Sequence, residues 1–191
     1  MVLHVDSDAE YLTILEARSC YAGNFYISYW PSPKMIKPNP ERNGTIYTEL
    51  KTTRNIVSSA AEAELCGTSN NGKKAIGMKP YLIILDHKQP VTPLKTDNYT
   101  TERFVNSGMK PKRSKTWHMK WHWLRYKEML EKLRVYWDIG EKNDADYFIR
   151  YYPPIHHRQM RPRYMHTSNL ERKITQTINL CKGVLNQVPG T

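Results

Sequence analysis

Pro93 to Tyr99 reads PLKTDNY, with Leu94, Thr96 and Asn98 interleaving with Lys95, Asp97 and Tyr99. Such alternation predicts a strand, and the polar YTTERF from Tyr99 predicts the opening of a helix. Asp97 then stands where a strand hands over to a helix, the place at which open α/β sheets bind ligands. A lone aspartate there fits a helix cap equally well. Acids elsewhere in the chain decide between the two.

Upstream, Val2 to Asp8 alternates as a first strand, with Leu3 and Val5 on one face and His4, Asp6 and Asp8 on the other. Asn24 to Trp30, NFYISYW, is rich in aromatic and β-branched residues and is stopped by Pro31 and Pro33. Gly44 to Thr52 alternates again, so three strands in succession predict an antiparallel meander. From Val57 the texture turns helical, with SSAAEAEL placing alanines behind capping serines. Gly67, Gly72 and Pro80 predict that this region breaks into two helical pieces.

Downstream of Asp97, Tyr99 to Asn106 predicts a short helix, and the basic MKPKRSK leads into an aromatic-rich helix from Trp117 to Leu133. Its four-three spacing of Met119, Trp123, Tyr126, Leu130 and Leu133 predicts a buried stripe, with Trp117, Trp121 and Leu124 opposite. RVYWDI predicts a last strand and NDADYFIRYY a terminal helix that ends at Pro153 and Pro154. The expected organisation is an α/β domain over 1–152 and a basic, Pro-flanked tail over 153–191, disordered in part or weakly helical.

The chain has 191 residues, enough for one domain with a tail. Lys and Arg number 29 against 18 Asp and Glu, a formal charge of +11 that favours polyanions. No apolar run approaches the roughly 18 residues of a membrane span. His4, Asp6 and Asp8 make the start unlike a signal peptide. A nucleic-acid partner inside the cell is therefore expected, and no membrane. Cys20, Cys66 and Cys181 form no CxxC pair and read as reduced structural thiols.

The order of elements resembles the RNase H fold, a mixed five-stranded sheet of three antiparallel strands and two more, flanked by helices. The residues resemble the ribonuclease H module that closes the polyprotein of copia-type LTR retrotransposons. HVDSDAEYL is similar to that family's first-strand SDA motif, SSAAEAEL to its SSTEAEY helix, and LKTDN to its DN strand end. RSKTWHMKWHWLR is similar to its TKHIDIRYHFVR helix and NDADYFIRYYPPIHH to its NxADYFTKHHP ending. The five stretches run in the same order from Met1 to about Thr167.

The resemblance implies that Asp8, Glu64, Asp97 and Asp146 are catalytic carboxylates holding two Mg²⁺ ions, with Mn²⁺ as a substitute, to cleave the RNA strand of RNA/DNA hybrids. The chemistry agrees, since two such ions about 4 Å apart activate the attacking water and neutralise the leaving oxygen, and Mg²⁺ prefers hard oxygen ligands. The resemblance also implies a reverse transcriptase upstream in the same polyprotein, and a location in a cytoplasmic virus-like particle or the nucleus. The 191 residues contain no such domain, so a freed module and a decayed, catalytically inactive remnant that only binds nucleic acid both stay open. Departures from the pattern are His118 in place of the family's Asp, IRYY at Ile149 to Tyr152 in place of TKHH, and no histidine between Ile139 and Lys142.

Lys110, Lys112, Arg113, Lys115 and Lys120, beside Trp117 and Trp121, are the candidate nucleic-acid-binding residues, because cations hold phosphates and an exposed indole stacks on a sugar or base. The alternative is a solvated charge run with both tryptophans in the core. His118 and His122 have helical zinc-site spacing, but HMKWH lacks the glutamate of HExxH. Ser59 to Glu62 has capping-box spacing, which turns Glu62 back to the Ser59 amide and leaves Glu64, about 200° further round, to face the ions.

Overall fold

The computed structural model describes residues 1–28, 42–54, 56–107 and 115–164. The chain divides into two units, Met1–Tyr152 and Pro153–Thr191. In the first unit the strands are β1 (Val2–Ile14), β2 (Arg18–Ser28), β3 (Arg42–Thr52), β4 (Thr92–Thr96) and β5 (Leu133–Trp137). The helices are α1 (Ala60–Ile84), α2 (Tyr99–Ser107), α3 (Lys115–Met129) and the single turn α4 (Asp146–Ile149). They flank one mixed five-stranded sheet of order β3-β2-β1-β4-β5, in which β2 is antiparallel to β1 and β3, while β4 and β5 run parallel to β1. No described helix is long and apolar enough to cross a membrane.

The strand alternation places Leu3 and Val5 in a core with Phe25, Leu65, Leu94, Leu124 and Val135. Every residue of β4 is buried, as befits a strand paired on both edges. The β1–β2 hairpin is longer than the sequence predicts because its turn carries no glycine, proline or asparagine. Glu16 and Ala17 take left-handed φ values of 63° and 53° instead, and Ile14 pairs with Arg18.

Pro80 does not divide α1. The helix runs through it to Ile84, so the expected pair of helical pieces is corrected to one 25-residue helix. Proline in a helix interior costs about 3 kcal/mol or more, and anchors on both sides of it offset that cost. Leu82 is buried, and Lys79 Nζ donates to the carbonyls of Pro90 at 2.6 Å and Lys132 at 3.2 Å.

A second correction concerns α3, whose buried face is the opposite of the one its spacing predicts. Trp121 and Leu124 are 3 % and 1 % exposed, whereas Met119 and Tyr126 are 74 % and 55 % exposed. Both faces carry large apolar groups, so periodicity alone does not choose between them. Packing against α1, α2 and β5 chooses the indoles, and Leu133 is buried as the first residue of β5.

In the second unit, α5 (Pro154–Tyr164) is a helix that carries Arg161 and Arg163 in its last turn. The expected disorder of the tail falls mostly on 165–191, outside the described residues.

Candidate active site

Parallel pairing sets the site. Ser7 of β1 lies opposite Thr96 of β4, so the next residues, Asp8 and Asp97, stand side by side where β4 ends, while β1 continues along β2 with Asp8 opposite Ala22. Asp97 is not the cap of α2, because Asn98 takes that role: its Oδ1 accepts from the Thr101 amide at 3.0 Å. Trp137 Nε1 donates to the Asp97 carbonyl at 2.8 Å and holds the strand end in place.

The third carboxylate arrives on α1. Its N-terminus is capped by Ser59, whose Oγ accepts from the Glu62 amide at 3.2 Å. Glu62 turns back as the capping box requires, one residue further than expected, to accept from the Ser58 amide at 2.8 Å and hydroxyl at 2.7 Å. Glu64 points the other way and accepts from the Ala9 amide at 3.0 Å. Gly67 permits this approach, since a Cβ there would stand 2.9 Å from Tyr21 Cβ and 3.5 Å from the Asp8 carbonyl oxygen.

Asp8, Glu64 and Asp97 thus bring carboxylate oxygens within 4.8 Å of one another. Among the described residues none of the three is in an ion pair. Burial, with the charges of Asp97 and Asp146, pushes the Asp8 carboxyl up to about 8. Burial and the Asp8 charge raise Glu64 well above the usual carboxylate range, and burial with the Asp146 charge raises Asp97. Without a cation the cluster therefore retains protons at neutral pH. Three hard, mutually repelling donors fit a divalent metal ion.

Asp146 opens α4 and reaches Asp8, but it is outside that three-residue set. Its carboxylate is engaged from the following chain by Arg150 Nε at 2.9 Å and by the Tyr152 hydroxyl, which donates to Oδ2. Burial and that bond push the Tyr152 phenol up to about 12. Nothing in the spacing of IRYY announces this fold-back.

The loop before α4 is anchored by groups that the sequence reading also missed. Lys95 and Asp6, partners in the β1–β4 register, form a buried ion pair at 2.9 Å. Lys95 Nζ donates to the Lys142 carbonyl at 2.5 Å, the Asp144 amide donates to Asp6 Oδ2 at 3.3 Å, and Asn143 Nδ2 donates to the Ser7 carbonyl at 3.0 Å. A cation and an anion on neighbouring strands was the available signal. Gly140, in a 3₁₀ turn at Gly140–Lys142, backs onto Asp97: a Cβ there would come 3.2 Å from Asp97 Oδ2.

The candidate nucleic-acid residues fare unequally. Lys110, Lys112 and Arg113 lie outside the described residues, and Lys115 opens α3. Trp117 and Trp121 are corrected to core residues. Trp117 is edge-on to Phe104 at 5.3 Å, and Trp121 Nε1 donates to the Phe104 carbonyl at 2.6 Å, so neither indole is placed to stack on a base. Lys120 is half-buried with Nζ 2.5 Å from Cys66 Sγ. Cys20 and Cys66 are free thiols, both buried.

No protein-family description matches the sequence, and no curated protein matches it. Solved structures do. The N-terminal RNase H domain of a Mycobacterium tuberculosis protein, solved as a fusion with maltose-binding protein, superposes with a TM-score of 0.53 at 9 % identity, over 76 % of this chain and 88 % of that one. The chain has the RNase H fold. LC11-RNase H1, isolated from compost and bound to an RNA/DNA hybrid, is similar at a TM-score of 0.48 and 12 % identity, over 76 % of this chain and 91 % of its own. The protease–reverse transcriptase of prototype foamy virus is similar at 0.46 and 13 % identity, with this chain spanning 18 % of it. Likeness at such identities concerns the RNase H fold alone, and the chemistry rests on the carboxylates.

Proposed function

We propose that this protein is a ribonuclease H that cleaves the RNA strand of RNA/DNA hybrids with Mg²⁺ or Mn²⁺, and that it derives from a copia-type retrotransposon polyprotein. The observation that carries the reading is the meeting of Asp8, Glu64 and Asp97 just past the point where the parallel pairing of β1 and β4 ends, in an RNase H fold. Asp8, Glu64 and Asp97 would hold the ions, with Asp146 as the fourth carboxylate. Bound divalent ions supply an activated water and charge neutralisation at the leaving oxygen.

The chain's own part is positioning. The Ala9 amide donates to both Asp8 Oδ1 and Glu64 Oε1, each at 3.0 Å, and so fixes the two carboxylates against each other. Trp137 orients Asp97 and Arg150 orients Asp146. Preorganised donors of this kind need no rearrangement at the moment of reaction. A hybrid is the proposed partner, with the basic stretch at Lys110, Lys112, Arg113 and Lys115 on its phosphates. A reverse transcriptase of the same polyprotein would supply it, in a cytoplasmic virus-like particle or the nucleus.

One observation favours a second reading, a remnant that binds nucleic acid without cutting it: Arg150 and Tyr152 already occupy the Asp146 carboxylate. Hydrolysis of a hybrid labelled on its RNA strand, with Mg²⁺, with Mn²⁺ and with EDTA, separates the two. The expected result is cleavage with either metal, none with EDTA, and none for a folded Asp97→Asn variant. Undiminished cleavage in EDTA, or none with either ion, refutes the proposal.

A further inference from the structure

The carboxyl end of α1 carries large apolar residues that the sheet does not use. From Pro80 the chain reads PYLIIL, apolar on every side, and a helical stretch of that kind belongs inside a larger assembly. Leu82 enters the core, whereas Tyr81 is 71 % exposed and Ile84 80 %, with Leu85 exposed beside them. Lys73, Gly77, Pro80 and Ile84 are all exposed and recur at four-three-four spacing, which aligns them on the side of the helix turned away from the core. The Lys79 bond to the Lys132 carbonyl brings the end of α3 to the same tip, where Met129 and Leu130 are exposed as well. Monomers rarely expose contiguous apolar patches larger than a few hundred Å².

Gly77 has no task within the fold. A glycine destabilises a helix interior relative to alanine, and its use is close approach. A Cβ at Gly67 or Gly72 would meet a neighbouring element, whereas one at Gly77 meets nothing within 4 Å. What Gly77 offers is a hollow on an exposed face. Ile84 lies seven residues on, about two turns along the same stripe, and makes the matching projection. Hollow and projection on one stripe are self-complementary. An antiparallel second copy that sets its Ile84 against Gly77 also sets its Gly77 against Ile84, and puts Tyr81 against Pro80 twice over. Asp86, where the chain leaves the helix, then comes within a turn of Lys73 in the other copy. Neither of these two is in an ion pair among the described residues.

We infer that this face pairs two copies of the chain through antiparallel α1 helices, about a two-fold axis between Pro80 and Tyr81. A helix of unrelated sequence would have to supply hollow, projection and charges in reverse order, and a second copy has them already. Glu64 stands about 25 Å along the helix from that axis at 1.5 Å per residue. The two carboxylate clusters therefore lie on opposite sides of the axis and both stay open. The pairing uses nothing of the ribonuclease reading, so a chain that does not cleave RNA pairs all the same.

The test is sedimentation velocity of the full chain over a hundredfold range of concentration. Salt of about 0.15 M, with a Debye length of about 8 Å, screens the charge of +11 on each copy. The expected result is a reversible monomer–dimer equilibrium. Tyr81→Glu/Ile84→Glu, which buries charge at the axis, should weaken it on the order of 100-fold. Leu15→Glu/Leu50→Glu, at exposed apolar positions elsewhere, should leave it unchanged. Gly77→Leu separates pairing from folding: it should raise the melting temperature of the dilute monomer by about 2 to 4 °C and weaken the dimer about 10-fold or more by filling the hollow. A monomer at every concentration overturns the inference, as does a dimer that Gly77→Leu leaves equally tight. A monomer that Tyr81→Glu/Ile84→Glu unfolds assigns the face to another part of its own chain and overturns it too. Flotation of a monomer with phosphatidylcholine vesicles, lost in Tyr81→Glu/Ile84→Glu, assigns the face to lipid and does the same.

Discussion

Asp8→Asn tests whether the carboxylate cluster stores repulsion that a divalent ion relieves. Asp8 is 5 % exposed, and its carboxyl is pushed from the ordinary 3.8 to about 8, first by burial and then by Asp97 and Asp146. A carboxyl raised by folding favours the folded state fully below about 4, and this contribution drains away as pH rises through about 8. At about 1.4 kcal/mol per tenfold change, the drain is on the order of 5 kcal/mol. For a domain of this size, that lowers the metal-free melting temperature by roughly 10 to 20 °C between pH 4 and pH 8. Asparagine keeps the oxygen that accepts from the Ala9 amide and loses only the charge. Melting curves in EDTA should therefore fall with pH for the parent protein and less steeply for Asp8→Asn, in which Glu64 and Asp97 keep the rise that burial gives them. Mg²⁺ or Mn²⁺ at pH 8 should restore the parent and raise the variant less, since it keeps only Glu64 and Asp97 of the cluster. Parallel curves for the two proteins, with no response to metal, would refute the reasoning.

Three further outcomes follow from the same geometry. Glu64→Gln should abolish hybrid cleavage with little loss of stability, whereas Glu62→Gln, which can still accept from Ser58, should lose less than about 1 kcal/mol and keep most activity; reversed results would undo the assignment of the two glutamates. Gly140→Ala should reduce cleavage while leaving the melting temperature nearly unchanged, because the added methyl presses only on the Asp97 carboxylate; full activity would show that Asp97 has room to yield. Trp121→Ala should cost about 3 to 5 kcal/mol as a core truncation, read by urea denaturation, and weakened hybrid binding at unchanged stability would instead return that indole to the nucleic-acid surface.

Much of the fold was legible because its signals are local. Alternation marked the strands of the meander, and PLKTDNY marked both the end of β4 and the residue after it. The two helix glutamates were separable because serine capping fixes the register of the first turn of α1. What escaped was decided by tertiary contacts. The face of α3 turned on neighbours that no window of α3 contains, and the passage of α1 through Pro80 turned on carbonyls before β4 and β5 that receive Lys79. The β1–β2 turn escaped for the opposite reason, since Glu16 and Ala17 adopt left-handed backbone without the residues that usually announce it. At the site, Arg150 and Tyr152 were visible only as a departure from a motif, and the closure of both on Asp146 needs the chain to double back.

The strand order has a consequence for how the protein comes into being. The β3-β2-β1 half is a meander of local hairpins, whereas β1 meets β4 only after the whole of α1 has been laid across the sheet. Pairings between distant segments pay their loop-closure entropy first and form late. Asp8 belongs to the early half and Asp97 to the late one, so a nascent chain halted before β4 holds Asp8 and Glu64 but lacks the third carboxylate of the cluster. Assembly of the sheet and assembly of the three-carboxylate cluster are therefore the same event.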